Sequence, residues 1–81
     1  MTLDHQPLGT LRTVHGVVAP PGHTGLAQQL EDLGFTAGEP VSVLRRAAFG
    51  GDPLVVRVGD STYALRRAEA ACVRLVPEMR R

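Results

Sequence analysis

The sequence predicts a mainly β fold, a small and partly open barrel of about five strands with one amphipathic helix inserted after the first strand. Three observations lead there. Gly or Pro stands at every break between short apolar segments, and only one stretch has a helical period. The chain has 81 residues, which suits one core and is too few to divide between two. Rolling a short sheet buries one face and reduces exposed edges, so these segments pack most economically as an SH3-like barrel. The expected organisation is a single domain over 1–81, with residues 1–8 and 78–81 loosely ordered.

The elements follow in order. Leu11 to Ala19 is rich in valine and stops at Pro20-Pro21-Gly22, which no strand can continue through, so it is the first strand. The period then changes. Leu26, Leu30 and Leu33 recur at i, i+4 and i+7, with Gln28, Gln29, Glu31 and Asp32 on the other faces, which predicts the helix. Thr24 is the expected N-terminal cap. Gly34 is expected to end the helix in a left-handed conformation, with Phe35 packing back onto Leu30.

From Pro40 the pattern is strand-like: Val41 to Ala47, Leu54 to Val58 after the Gly50-Gly51-Asp52-Pro53 turn, and Ser61 to Arg66. Gly59-Asp60 suits a two-residue hairpin loop, which sets Val58 opposite Ser61, Val56 opposite Tyr63 and Leu54 opposite Leu65. A loop one residue longer would set Leu54 against Arg66 and mix the faces. A helical turn over Arg67 to Ala71 then precedes a last strand, Cys72 to Val76, which stops at Pro77.

Composition narrows the chemistry. Nine arginines and no lysine oppose eight acidic residues for a net charge of +1, which is neither strongly basic nor disordered. The absence of lysine removes the G-x-x-x-x-G-K-[ST] phosphate loop. One cysteine, Cys72, permits neither an internal disulfide nor a multi-cysteine zinc cage, and its valine-flanked position predicts a buried, inert thiol. The run from Met1 to Leu8 has neither a basic n-region nor an apolar h-region, and no stretch is long enough for a membrane span. A cytoplasmic, non-enzymatic protein is the expectation.

His5, His15 and His23 are the only imidazole donors, and no H-x-x-x-H or C-x-x-C pairing fixes two ligands on one face. They are candidates for weak surface binding of a transition metal, iron(II) or zinc, with carboxylates borrowed from elsewhere. No cofactor is required. Phe35, Phe49 and Tyr63 are too few and too committed to form an aromatic groove for proline-rich peptides. Arginines cluster at Arg45-Arg46, Arg57 and Arg66-Arg67 on strands expected to be neighbours, so Arg45, Arg46, Arg66 and Arg67 are the candidate partner-binding residues. A near-zero charge without stacking aromatics argues for an acidic protein partner and against nucleic acid.

The ordered set Leu33-Gly34-Phe35-Thr36-Ala37-Gly38, then Val41 to Leu44, then Phe49-Gly50-Gly51-Asp52-Pro53-Leu54, then Ala64-Leu65-Arg66-Arg67-Ala68-Glu69-Ala70 resembles the FeoA family over about half the chain. The family's turn usually reads hydrophobic-Gly-Asp-Pro, and here Gly50 and Gly51 are doubled, so the loop is one residue longer. The resemblance implies a small cytoplasmic SH3-like protein that accompanies a membrane ferrous iron transporter bearing a cytoplasmic G domain. On that reading the arginine face docks on an acidic surface of the transporter, with the rim of the Leu26 to Leu33 helix as the competing surface. The alternative is a transition-metal-binding SH3-like domain, like those appended to iron-dependent repressors, acting in metal sensing or delivery. Direct membrane insertion is not expected, and the oligomeric state is open.

Overall fold

The computed structural model describes residues 1–48 and 50–77. The expectations for Phe49 and for a frayed tail over 78–81 lie outside the described residues. The elements run β1 (Arg12–Val17), α1 (Leu26–Leu33), β2 (Pro40–Arg46), β3 (Leu54–Val58), β4 (Ser61–Leu65), α2 (Arg67–Ala70) and β5 (Val73–Leu75), preceded by a single 3-10 turn over Leu3–His5. The strands form one antiparallel sheet in the order β4-β3-β2-β1-β5. This is the mainly β, SH3-like arrangement, with the helix after the first strand.

The sheet rolls at β1. Arg12 and Thr13 pair with Val41 and Pro40 of β2, while Val14, Gly16 and Val17 pair with β5. The register with β5 shifts between Val14 and Gly16, which makes His15 the extra residue of a bulge and bends the strand from one half of the sheet to the other. Val14 is wholly buried and His15 is exposed. The β3–β4 hairpin has the predicted register, with Val58 opposite Ser61, Val56 opposite Tyr63 and Leu54 opposite Leu65. Along β3, Leu54, Val56 and Val58 alternate inward and join Val41, Val43 and Leu65 in the core.

Helix α1 ends as its sequence dictates. Gly34 takes φ +116°, its N–H donates to Glu31 O at 3.0 Å and Phe35 N–H donates to Leu30 O at 3.1 Å, the double bond pattern of a Schellman stop. Phe35 and Leu30 then bury together. The start differs from expectation. Gly25, with helical φ and ψ, precedes the helix and no side chain caps it. Leu26 N–H instead donates to His23 O at 3.1 Å, so the preceding turn does the work assigned to Thr24.

The N-terminal segment also departs from expectation. Residues 1–8 are not loosely attached: Leu3 is 0% exposed, Thr2 bridges Arg74, Leu8 bridges Val43, and Leu75 N–H donates to Met1 O at 3.0 Å. The 3-10 turn packs on α2 and β5 and closes that end of the barrel. A lone leucine among Asp, His, Gln and Pro carries no periodic signal, so the sequence could not reveal its burial. Leu3→Ala is expected to cost about 2–4 kcal/mol by urea denaturation, because it empties a fully enclosed site; a loss within about 0.5 kcal/mol would mean that the segment does not hold the core.

Candidate functional site: an arginine-bearing sheet face

The outer face of the sheet is set by a second bulge. Val43 pairs with Val56, but the register then shifts, and Arg45 and Arg46 pair with Val55 and Leu54. Leu44 is the extra residue, left 42% exposed. Strict alternation from Val41 and Val43 would have turned Arg45 inward; the bulge exchanges the two arginines. Arg45 joins the outward row Arg45, Val55, Ala64, next to the row Ser42, Arg57, Thr62. Arg45 and Arg57 are both exposed on it.

Arg46 shares its register position with the core residue Leu54 and is half-buried. Its Nη2 donates to the carbonyl oxygens of Asp4 at 3.0 Å and Gln6 at 2.7 Å. Gln6 is itself buried, and its Oε1 accepts from Arg12 Nε at 2.9 Å. Arg46 is therefore the clamp on the N-terminal segment, a correction to its place among free docking residues. Buried side-chain nitrogens and oxygens among the described residues all have partners, as burial of polar groups requires.

Arg66 and Arg67 are exposed. Arg66 precedes α2, where Glu69 Oε1 accepts its backbone N–H at 2.8 Å. Arg67 begins α2; its N–H donates to Asp52 Oδ1 at 3.0 Å and its Nη1 reaches Gly50 O at 3.5 Å. The doubled-glycine turn is thus tied to α2 by Arg67. Of the four expected arginines, Arg45 lies on the outer sheet face, Arg66 and Arg67 border its end, and Arg46 is turned to the N-terminal segment; Arg57, not among the four, lies exposed in the row beside Arg45. The alternation of Val56 inward and Arg57 outward was the signal for this added residue.

The histidines stay apart, on the 3-10 turn, on the β1 bulge and in the loop before α1, each exposed. His5 Nε2 lies 3.3 Å from Asp4 Oδ2. Among the described residues no three His, Cys, Asp or Glu side chains converge on a common point. Cys72 is buried, with Sγ donating to Ala68 O at 3.4 Å. Burial first, then the negative charges of Glu69 and Asp4, push its pKa up. Among the described residues no helix is long and apolar enough to cross a membrane.

Fold and surface together define a small SH3-like domain with an arginine-bearing sheet face. Residues 1–77 match the model of the FeoA domain. The chain belongs to the FeoA family, small proteins of ferrous iron transport. FeoA of Stenotrophomonas maltophilia, solved in complex with zinc and described as a prokaryotic SH3 domain protein and candidate activating factor of bacterial ferrous iron transport, is 38% identical, with a TM-score of 0.85 over 94% of this chain and 89% of that one. FeoA from Chlorobium tepidum is 32% identical, with a TM-score of 0.79 over 93% of this chain and 68% of that one. A manganese-dependent transcriptional repressor shares the fold alone, at 20% identity and a TM-score of 0.76 over 94% of this chain and 40% of that one. No curated protein matches the chain significantly.

Two outcomes test the assignments of side chains. Arg46→Ala is expected to cost about 1–3 kcal/mol, since it leaves two carbonyl oxygens without their charged donor, and hydrogen exchange should quicken over residues 3–6. Arg45→Ala should stay within about 0.5 kcal/mol in the same denaturation assay. Cys72 supplies the pH outcome. Its folded pKa is raised, so at high pH the unfolded chain loses the thiol proton first, and stability should fall as pH rises through and above the ordinary thiol range. Cys72→Ala should remove that slope.

Proposed function

We propose that this chain is a non-enzymatic accessory protein of ferrous iron uptake that works in the cytoplasm by docking on the cytoplasmic part of a membrane ferrous iron transporter with a G domain. The observation that carries the reading is the FeoA match across residues 1–77. The protein acts through its surface: Arg45 and Arg57 face outward in adjacent rows, and Arg66 and Arg67 extend the positive charge past β4. Such a face suits an acidic protein surface, where charge speeds encounter and sets orientation. It suits nucleic acid poorly, since among the described residues no aromatic side chain lies in those outward rows for base stacking. The Cys72 thiol is enclosed, with its pKa pushed up by burial, which suits packing and not catalysis.

Deleting the gene should lower ferrous iron uptake, and the wild-type chain should restore it. An Arg45→Glu, Arg57→Glu double variant is expected to associate with the transporter's cytoplasmic part about tenfold more slowly at low salt, with a weaker salt dependence and an unchanged thermal midpoint. Wild-type association by that variant would move docking to the rim of α1, at the half-buried Leu26 and Leu33.

The zinc bound by the Stenotrophomonas maltophilia relative favours a second reading, weak capture of zinc or iron(II) by exposed histidines with carboxylates of a neighbouring molecule. His23, His15 and His5 are its ligands. Zinc should then dissociate on dialysis against a chelator without lowering the thermal midpoint, and His23→Ala with His15→Ala should weaken its binding in calorimetry. Unfolding on chelation would overturn weak surface binding.

A further inference from the structure

The two edges of the sheet are finished differently. The edge of β5 is covered by the N-terminal segment, through the Thr2–Arg74 bridge and the bond from Leu75 N–H to Met1 O. The far side of β4 pairs with no strand among the described residues. The β3–β4 loop holds two residues, of which Gly59 alone has positive φ. In such a hairpin the closing pair, Val58 and Ser61, exchanges both backbone bonds, and bonded and non-bonded pairs then alternate. Ser61, Tyr63 and Leu65 therefore bond to β3, and Thr62 and Ala64 direct their N–H and C=O groups to the free side.

Sheet edges are ordinarily guarded by a charge, a proline or a bulge. The stretch Ser61-Thr62-Tyr63-Ala64-Leu65 has none of these and keeps an unbroken register with β3. We propose that β4 is a self-association edge, at which two copies pair β4 to β4 antiparallel about a two-fold axis through Tyr63 and join their sheets.

Charge selects the second copy as the occupant. Asp60 before β4 and Arg66 after it are exposed, and neither side chain joins an ion pair among the described residues. Antiparallel pairing centred on Tyr63 sets Thr62 opposite Ala64 of the second copy, Ser61 opposite its Leu65, and Asp60 opposite its Arg66. Both Thr62–Ala64 pairs exchange the backbone bonds left open in one copy, and two reciprocal Asp60–Arg66 pairs close the ends. Parallel in-register pairing would stack Arg66 on Arg66 and Asp60 on Asp60, which like charges oppose. The half-buried Tyr63, its ring 6.2 Å from that of Phe35, meets its mate at a non-hydrogen-bonded position, where cross-strand side chains come closest. On the outer face Arg57 is followed by Thr62 and then by Ala64 of the second copy, so the rows set no arginine against an arginine.

Sedimentation equilibrium of the full chain from about 10 μM to about 1 mM, the range of a weak small interface, should show a monomer–dimer equilibrium. Asp60→Arg and Arg66→Asp are each expected to weaken it about tenfold, and the double reversal to restore it. Ala64→Pro should abolish it while the thermal midpoint holds, because the amide it removes is unpaired in one copy; Thr62→Lys tests the same edge if the proline variant does not fold. A chain monomeric throughout, or a double reversal no better than the singles, would overturn the proposal. So would a dimer indifferent to Ala64→Pro and Thr62→Lys, or amide shifts at Thr62 and Ala64 that arise only with a different protein.

Discussion

The bulge at Leu44 governs the surface of this molecule. A strand's side chains alternate with period two, so a core strand that starts Val41, Ser42, Val43 would bring Arg45 into the core two residues later. One extra residue cancels that outcome. Arg45 moves out beside Val55, and Arg46 moves in beside Leu54 at the end of the barrel. There it meets not an apolar core but the carbonyl oxygens of the N-terminal segment. One local irregularity thus supplies both the outward charge and the inward clamp.

The clamp has consequences at the far end of the chain. With residues 3–6 held by Arg46 and Arg12, Leu3 can enter the core and Met1 and Thr2 can lie along β5. A small barrel has little apolar area to spare, so sealing its end with one leucine and a satisfied polar cluster adds to what the valines provide. The same segment covers one sheet edge and leaves the other, at β4, as the place where main-chain groups remain free.

Membership of the FeoA family and the distribution of charge point the same way. The histidines are dispersed, the thiol is enclosed, and what the fold presents to its surroundings is a sheet face with arginines and an unguarded edge. Such surfaces recognise other macromolecules more readily than small ones, because affinity then comes from many modest contacts spread over an area and not from a concave site.

The features legible in the chain alone were local ones. The period of Leu26, Leu30 and Leu33, the left-handed stop at Gly34 and the register of the Leu54–Val58 and Ser61–Leu65 hairpin all follow from spacing and turn chemistry within a dozen residues, and each is present. The family resemblance was equally legible, because its motifs are those same turns. Long-range packing settled which arginine faces outward and which clamps, that Gln6 and Leu3 are buried, and that Thr24 caps nothing. Those outcomes depend on where a bulge falls and on contacts between Arg46 and residues some 40 positions away, and no periodicity in a short segment encodes a partner that distant.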